Sequence, residues 1–162
     1  MAGILNISSN DTPIIKDNVV FDMRHGVGLG GVQTDARGWS TVNDTFSASN
    51  QTLRHQAVQL VRAVDAYTPR LMSALTNYEL FDELEVAWKR VNETGEIEFD
   101  YRIVLAKAQL IYSAPWDFGA VDGDLKEMLT FSYRDITWKY LAYDPKNGDL
   151  VKEKEASSDG FF

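Results

Sequence analysis

Cysteine is absent from all 162 residues, which excludes disulfides and thiolate metal sites. Histidine occurs only at His25 and His55, too few to build a metal centre without carboxylate help. No apolar run reaches the length of a membrane-crossing helix, so no membrane insertion is expected. Basic residues are the minority charge: 16 Lys and Arg face 24 Asp and Glu, a net charge of -8. A surface of that sign repels phosphate backbones, and nucleic acid is not an expected partner. Met1-Ala2-Gly3-Ile4-Leu5-Asn6 carries neither a basic stretch nor a long apolar one. The expectation is a protein made in the cytoplasm without a signal peptide, whose export would need a route that reads none.

What is present suits a single domain: 44% hydrophobic and 12% aromatic residues, over a length that supports one sizeable core. Three textures divide it. Residues 1–50 hold six of the 11 glycines with many Ser, Thr and Asn, and read as a loop-rich front segment containing a short strand at 18–23. Gly26, Val27, Gly28, Leu29, Gly30 and Gly31 read as a flexible loop there. Residues 51–148 carry the periodic patterns. Residues 149–162 mix charges and finish on Phe161 and Phe162, a tail that could fray or dock on a neighbour.

Residues 52–62 alternate weakly, with Leu53, Ala57 and Val61 opposed to Arg54, Val58 and Leu60. Thr68 is then read as the N-cap, and Pro69 as the first residue, of a short helix with Leu71, Ala74 and Leu75 as its apolar stripe. Beyond it the period becomes two. Leu84, Val86 and Trp88 share a face, and Asn92-Glu93-Thr94-Gly95 is a hairpin loop with Gly95 suited to positive φ. Ile97, Phe99, Tyr101, Ile103 and Leu105 oppose Glu96, Glu98, Asp100 and Arg102, with a bend near Ala106-Lys107. Residues 115–123 read as a turn-rich connection. Leu125, Glu127, Leu129, Phe131 and Tyr133 alternate next, followed by Ile136, Trp138 and Tyr140. One helix among many half-wet strands implies a mainly β domain, a two-sheet barrel or sandwich flanked by one short α-helix.

Chemistry-bearing patterns are sparse. Arg24-His25-Gly26 is a tripeptide of histidine phosphatases, but neither the following phosphate-clamping Arg nor a suitably placed second His is present. The glycines at 26–31 are followed by no helical pattern and no Lys, as a phosphate cradle would need. Asp122 and Asp124 lack the further ligands of a calcium loop. Glu96, Glu98 and Asp100 read as a solvated face or a polar lining of a pore. No nucleophile, base and orienter come together, so no catalytic, cofactor or metal residues are assigned, and the protein is not expected to be an enzyme.

Three stretches resemble the Hcp family, the haemolysin-coregulated tube subunits of type VI secretion. They are Arg62 and Asp65 followed by Thr68-Pro69 and the helix; Tyr101-Arg102-Ile103-Val104-Leu105 running to Tyr112; and the run from Glu127 through Ile136-Thr137-Trp138-Lys139-Tyr140. The resemblance implies hexameric rings stacked into a tube, with the spike protein, sheath and effectors as partners and release by type VI secretion. In such an assembly the length of the Gly-rich front loops, from about Asp22 to Asn50, marks them for contacts between rings, with Gly26 to Gly31 as the candidate segment. A phage-type tail tube or baseplate protein shares this ring-stacking logic, and a ligand-binding or hydrolytic β-barrel is a further alternative.

Overall fold

The computed structural model describes residues 3–29, 32–34, 40–42, 53–117, 125–144 and 146–159. Its strands are β1 (Gly3–Ser9), β2 (Thr12–Arg24), β3 (Val27–Leu29), β4 (Val32–Thr34), β5 (Ser40–Val42), β6 (Leu53–His55) and β7 (Val58–Ala63). After helix α1 (Thr68–Thr76) follow β8 (Leu80–Val91), β9 (Ile97–Asp117), β10 (Leu125–Ser132), β11 (Asp135–Tyr143) and β12 (Leu150–Asp159). Eight strands form one sheet in the order β10–β7–β2–β1–β8–β9–β11–β12, and β10 also pairs with β9. That last pairing closes the sheet on itself. The expected barrel with a flanking helix is therefore present, hydrogen-bonded as one curled sheet.

The long strand β9 makes this closure possible. Residues 99–106 pair with β11, and residues 109–117 pair with β10. Between them Lys107 takes a φ of 52°, so the inward face changes parity: Ile103 and Leu105 are buried before it, Ala108 and Leu110 after it. The bend read at Ala106-Lys107 is this residue. Leu5, Ile7, Ile15, Val58, Leu60, Phe81, Leu84, Val86, Leu129, Phe131 and Ile136 complete the core with Leu71 and Ala74 of α1. At about 25 cal/mol per Å² of apolar area removed from water, such a cluster supplies the main drive to fold.

Four sequence expectations change. Residues 3–24, read mostly as loop, form the β1–β2 hairpin, and its Leu5, Ile7, Ile15 and Val20 are core residues. β9 runs through Pro115 to Asp117 where a turn was expected. The charged C-terminal stretch is strand β12, paired along β11 with almost every side chain exposed. Asp100, expected on a solvated face, is buried and held by Arg102 two residues along, at 2.7 Å.

Candidate functional site

Arg62 and Glu127 stand directly opposite each other on β7 and β10, both in the inward stripe. An arginine with no exposed surface needs neutralising partners. Arg62 donates from Nη1 to Glu127, from Nη2 to Asp65 at 2.6 Å and from Nε to the Asn18 side-chain oxygen Oδ1 at 2.9 Å. Burial would raise the Asp65 carboxyl, but the bonds from Arg62, the Tyr67 N–H and Asn18 outweigh it and hold the group below its ordinary value. Thr68 belongs to the same network. Its hydroxyl accepts the Asp65 N–H at 3.1 Å and donates to Glu127 at 3.2 Å.

The helix start therefore differs from the sequence reading. Thr68 is the first helical residue and Tyr67 precedes it in the cap position without a side-chain cap bond, so Pro69 falls second. The physical reason is that the buried ion pair draws the Thr68 hydroxyl toward itself. Asp65 takes over the cap's work by accepting the Tyr67 N–H at 2.9 Å.

A second polar cluster lies at the opposite end of the β7–β10 pair. Val27, Gly28 and Leu29 form a strand paired with Leu53–His55, so the expected flexible loop is in part a two-stranded ribbon; Gly30 and Gly31 lie outside the described residues. At the ribbon's base, His55 Nδ1 is 2.9 Å from the Tyr133 hydroxyl and Nε2 is 3.1 Å from Ser158 Oγ of β12. His25 Nε2 lies 3.5 Å from the same hydroxyl, and its ring packs on Trp138 with centroids 5.9 Å apart. Tyr133 is fully buried, which pushes its phenol up to about 12 and keeps it protonated. Burial first, and the neighbouring His55 second, lower His25 below its ordinary value. The structure thus brings together the two histidines that the sequence left apart, around a tyrosine. Among the described residues no group of three or more His, Cys, Asp or Glu could hold a metal ion. Ser158, His55 and Tyr133 are hydrogen-bonded in a row, yet the end member is a buried phenol rather than the carboxylate that orients a catalytic imidazole. The row instead ties the ribbon and β12 to the barrel.

The outer wall is the third feature. A groove of about 360 Å³ runs over β2, β7 and β10, lined by Phe21, Val61 and Met128 with Asp22, Arg24, Gln59 and Lys126 beside them. Phe21 is 52% exposed, with the Lys126 ammonium 4.6 Å from its ring centroid. Val19 and Leu125 are exposed on the same strands. Among the described residues no helix is long and apolar enough to cross a membrane.

Known proteins match this arrangement. Residues 31–140 match the family described as "Type VI secretion system effector, Hcp". The chain belongs to the Hcp family. A curated relative, the "Major exported protein" of Pseudomonas aeruginosa PAO1, is 30% identical over 91 residues, and the match covers 53% of each chain. The chain thus spans about half the length of that relative. Among solved structures, an Hcp1 mutant from Escherichia coli EAEC 042 has a TM-score of 0.67 at 15% identity, covering 99% of both chains. The secreted Hcp3 of Pseudomonas aeruginosa has a TM-score of 0.63 at 19% identity, with the same coverage. These likenesses take in strands β1 and β2, which precede the residues of the family match. The Arg62–Glu127 pair and the His25–Tyr133–His55 cluster were missed in the sequence. The available signal was a charge or a hydroxyl in phase with an apolar stripe. Phe161 and Phe162, read as a docking tail, lie outside the described residues.

Proposed function

We propose that this Hcp chain is a structural tube subunit, assembling into hexameric rings that stack into the inner tube of a type VI secretion system. The observation that carries this reading is the family match, supported by a fold alike over the full length of solved Hcp chains. The outer surface is consistent with it: the barrel satisfies its own core yet leaves Val19 and Phe21 of β2 uncovered on its outer wall. Identical subunits joined by two different faces close into rings, and rings stack. The chain acts as scaffold rather than catalyst, with effectors in the ring's pore and spike and sheath at its boundaries. Export with the tube agrees with the name of the Pseudomonas relative. The ribbon of Val27–Leu29 and Leu53–His55 is a two-stranded sheet separate from the barrel sheet and is the part we assign to contacts between rings.

Negative-stain microscopy and light scattering of the purified protein test the proposal. Sixfold rings or tubes are expected. A monomer at every concentration and salt level would sink it. Deleting Gly26 to Gly31 should leave rings that no longer stack, and tubes growing at the normal rate would remove the inter-ring role from this segment.

A further inference from the structure

One residue after α1 is poorly chosen for folding. Tyr78 takes a left-handed φ of 54° and is 79% exposed. It fills the position just past the helix C-cap Asn77. The Tyr78 N–H bonds the Leu75 carbonyl at 3.4 Å, and the Glu79 N–H bonds the Ala74 carbonyl at 3.0 Å. That pattern of bonds favours glycine, which adopts positive φ without a Cβ penalty. An aromatic side chain here strains the backbone and adds little to the core.

The same turn is nevertheless held rigidly. Arg70 grips Glu79 through two bonds of 2.7 Å, fixing the residue after Tyr78 against the helix. Met72 and Leu80 are exposed on either side in sequence. A strained, exposed tyrosine on a turn whose backbone an ion pair already holds has the anatomy of an interface anchor, because the segment that carries it is ordered before contact.

The chain also offers a seat for it. The outer groove presents apolar side chains from Phe21, Val61 and Met128 with Arg24 and Lys126 alongside; Asp22, 3.9 Å from Arg24, lines it too, so positive charge exceeds negative there by one. It already holds one aromatic under a cation, Phe21 beneath Lys126. An aromatic face is electrostatically complementary to such a site, since the ring's negative face attracts the cations while its body covers apolar surface. Knob and groove lie on different elements, the α1–β8 turn and the β2–β7–β10 wall. A contact between them is therefore head to tail and repeats from copy to copy.

We propose that Tyr78 of one copy seats in the Phe21–Val61–Met128 groove of the next, joining neighbouring subunits of the assembly. This rests on the tube reading. Tyr78→Gly tests it with a variant that relieves strain. The purified variant should melt at or above the wild-type temperature while its mass by light scattering falls to that of a single chain. Rings at wild-type yield would overturn the anchor. The seat is tested by cross-linking, for which the absence of cysteine is convenient. A chain carrying both Asn77→Cys, beside Tyr78, and Gln59→Cys, at the groove's edge, keeps the anchor and the apolar seat and should give a ladder of covalent multimers on mild oxidation, with each single variant stopping at dimers or below. If the doubly substituted chain assembles but forms no ladder, the groove is not the seat. If the wild-type chain never assembles, the tube reading falls and this contact falls with it.

Discussion

The two ends of the β7–β10 pair solve the same problem in opposite ways. At one end Arg62, Glu127, Asp65 and Thr68 form a charged network around a fully buried guanidinium. At the other, His25, His55, Tyr133 and Ser158 join neutral or titratable groups around a buried phenol. The charged end fixes where strand, helix and β10 meet, because a buried ion leaves no tolerable alternative once its partners shift. The titratable end fastens segments added onto the barrel, the β3–β6 ribbon and β12, with bonds weak enough to yield first. Fold-setting and attachment are thus separated along one pair of strands.

The largest expected effect breaks the charged end. Glu127→Leu leaves a fully buried Arg62 short of its closest partner and should cost about 3–5 kcal/mol, read from the urea midpoint. Replacing both residues by leucine should recover a good part of that loss, since no charge then remains buried unpaired. A single-variant loss below about 1 kcal/mol would show that Asp65 alone neutralises the arginine. At the other end, Tyr133→Phe removes one hydroxyl and leaves His55 Nδ1 and the Gln56 carbonyl without it. The expected cost is smaller, about 1–3 kcal/mol. Hydrogen exchange should quicken in β6 and β12 before it does so in β8. Equal acceleration throughout would erase the distinction between attachment and fold.

Acid sharpens the same contrast with a smaller change. His25 is held below its ordinary 6.5 by burial and by His55, so the unfolded chain binds this proton more readily than the folded one. Its contribution to stability is therefore fully present above pH 6.5 and is lost as pH falls through the folded value. At the charged end, Asp65 is depressed from an ordinary 3.8, so that contribution is lost only at lower pH. Melting temperature against pH should accordingly fall in two stages, and His25→Asn should flatten the upper one alone. An upper stage unchanged by His25→Asn would assign it to another group.

Regular stretches of the fold were legible, and irregular ones were not. The alternation from Tyr101 to Leu105, the Gly95 turn at φ 87° and the bend at Lys107 all follow from period two and from backbone sterics. The strand read at 18–23 is the second half of β2, and the first half hid because the parity breaks. Asp17 takes a φ of 51° and a register shift separates Val20 from Asp22, so the buried Ile15 and Val20 are five positions apart. β12 hid for a different reason: a strand exposed along both faces has no apolar phase to read. Of the sites, Arg62 and Glu127 stood in phase with apolar stripes and could have been paired from the sequence. The meeting of His25 with His55 depends on strand register across the barrel, which no local pattern encodes.

The exposed hairpin beyond the titratable end supplies the weakest effect. Lys139 Nζ lies 3.6 Å from Glu153 Oε1 across β11 and β12, and both side chains reach solvent. Water and salt screen such a pair, and holding two long side chains in one geometry offsets much of what attraction remains. The attachment of β12 therefore rests on its backbone ladder from Asp135–Asp159 to Tyr143–Leu150 and on the bond from Ser158 to His55. Lys139→Ala should move the urea midpoint by less than about 0.5 kcal/mol and leave its salt dependence unchanged. A loss above about 1 kcal/mol, shrinking in high salt, would mean that charge and not backbone pairing holds this strand.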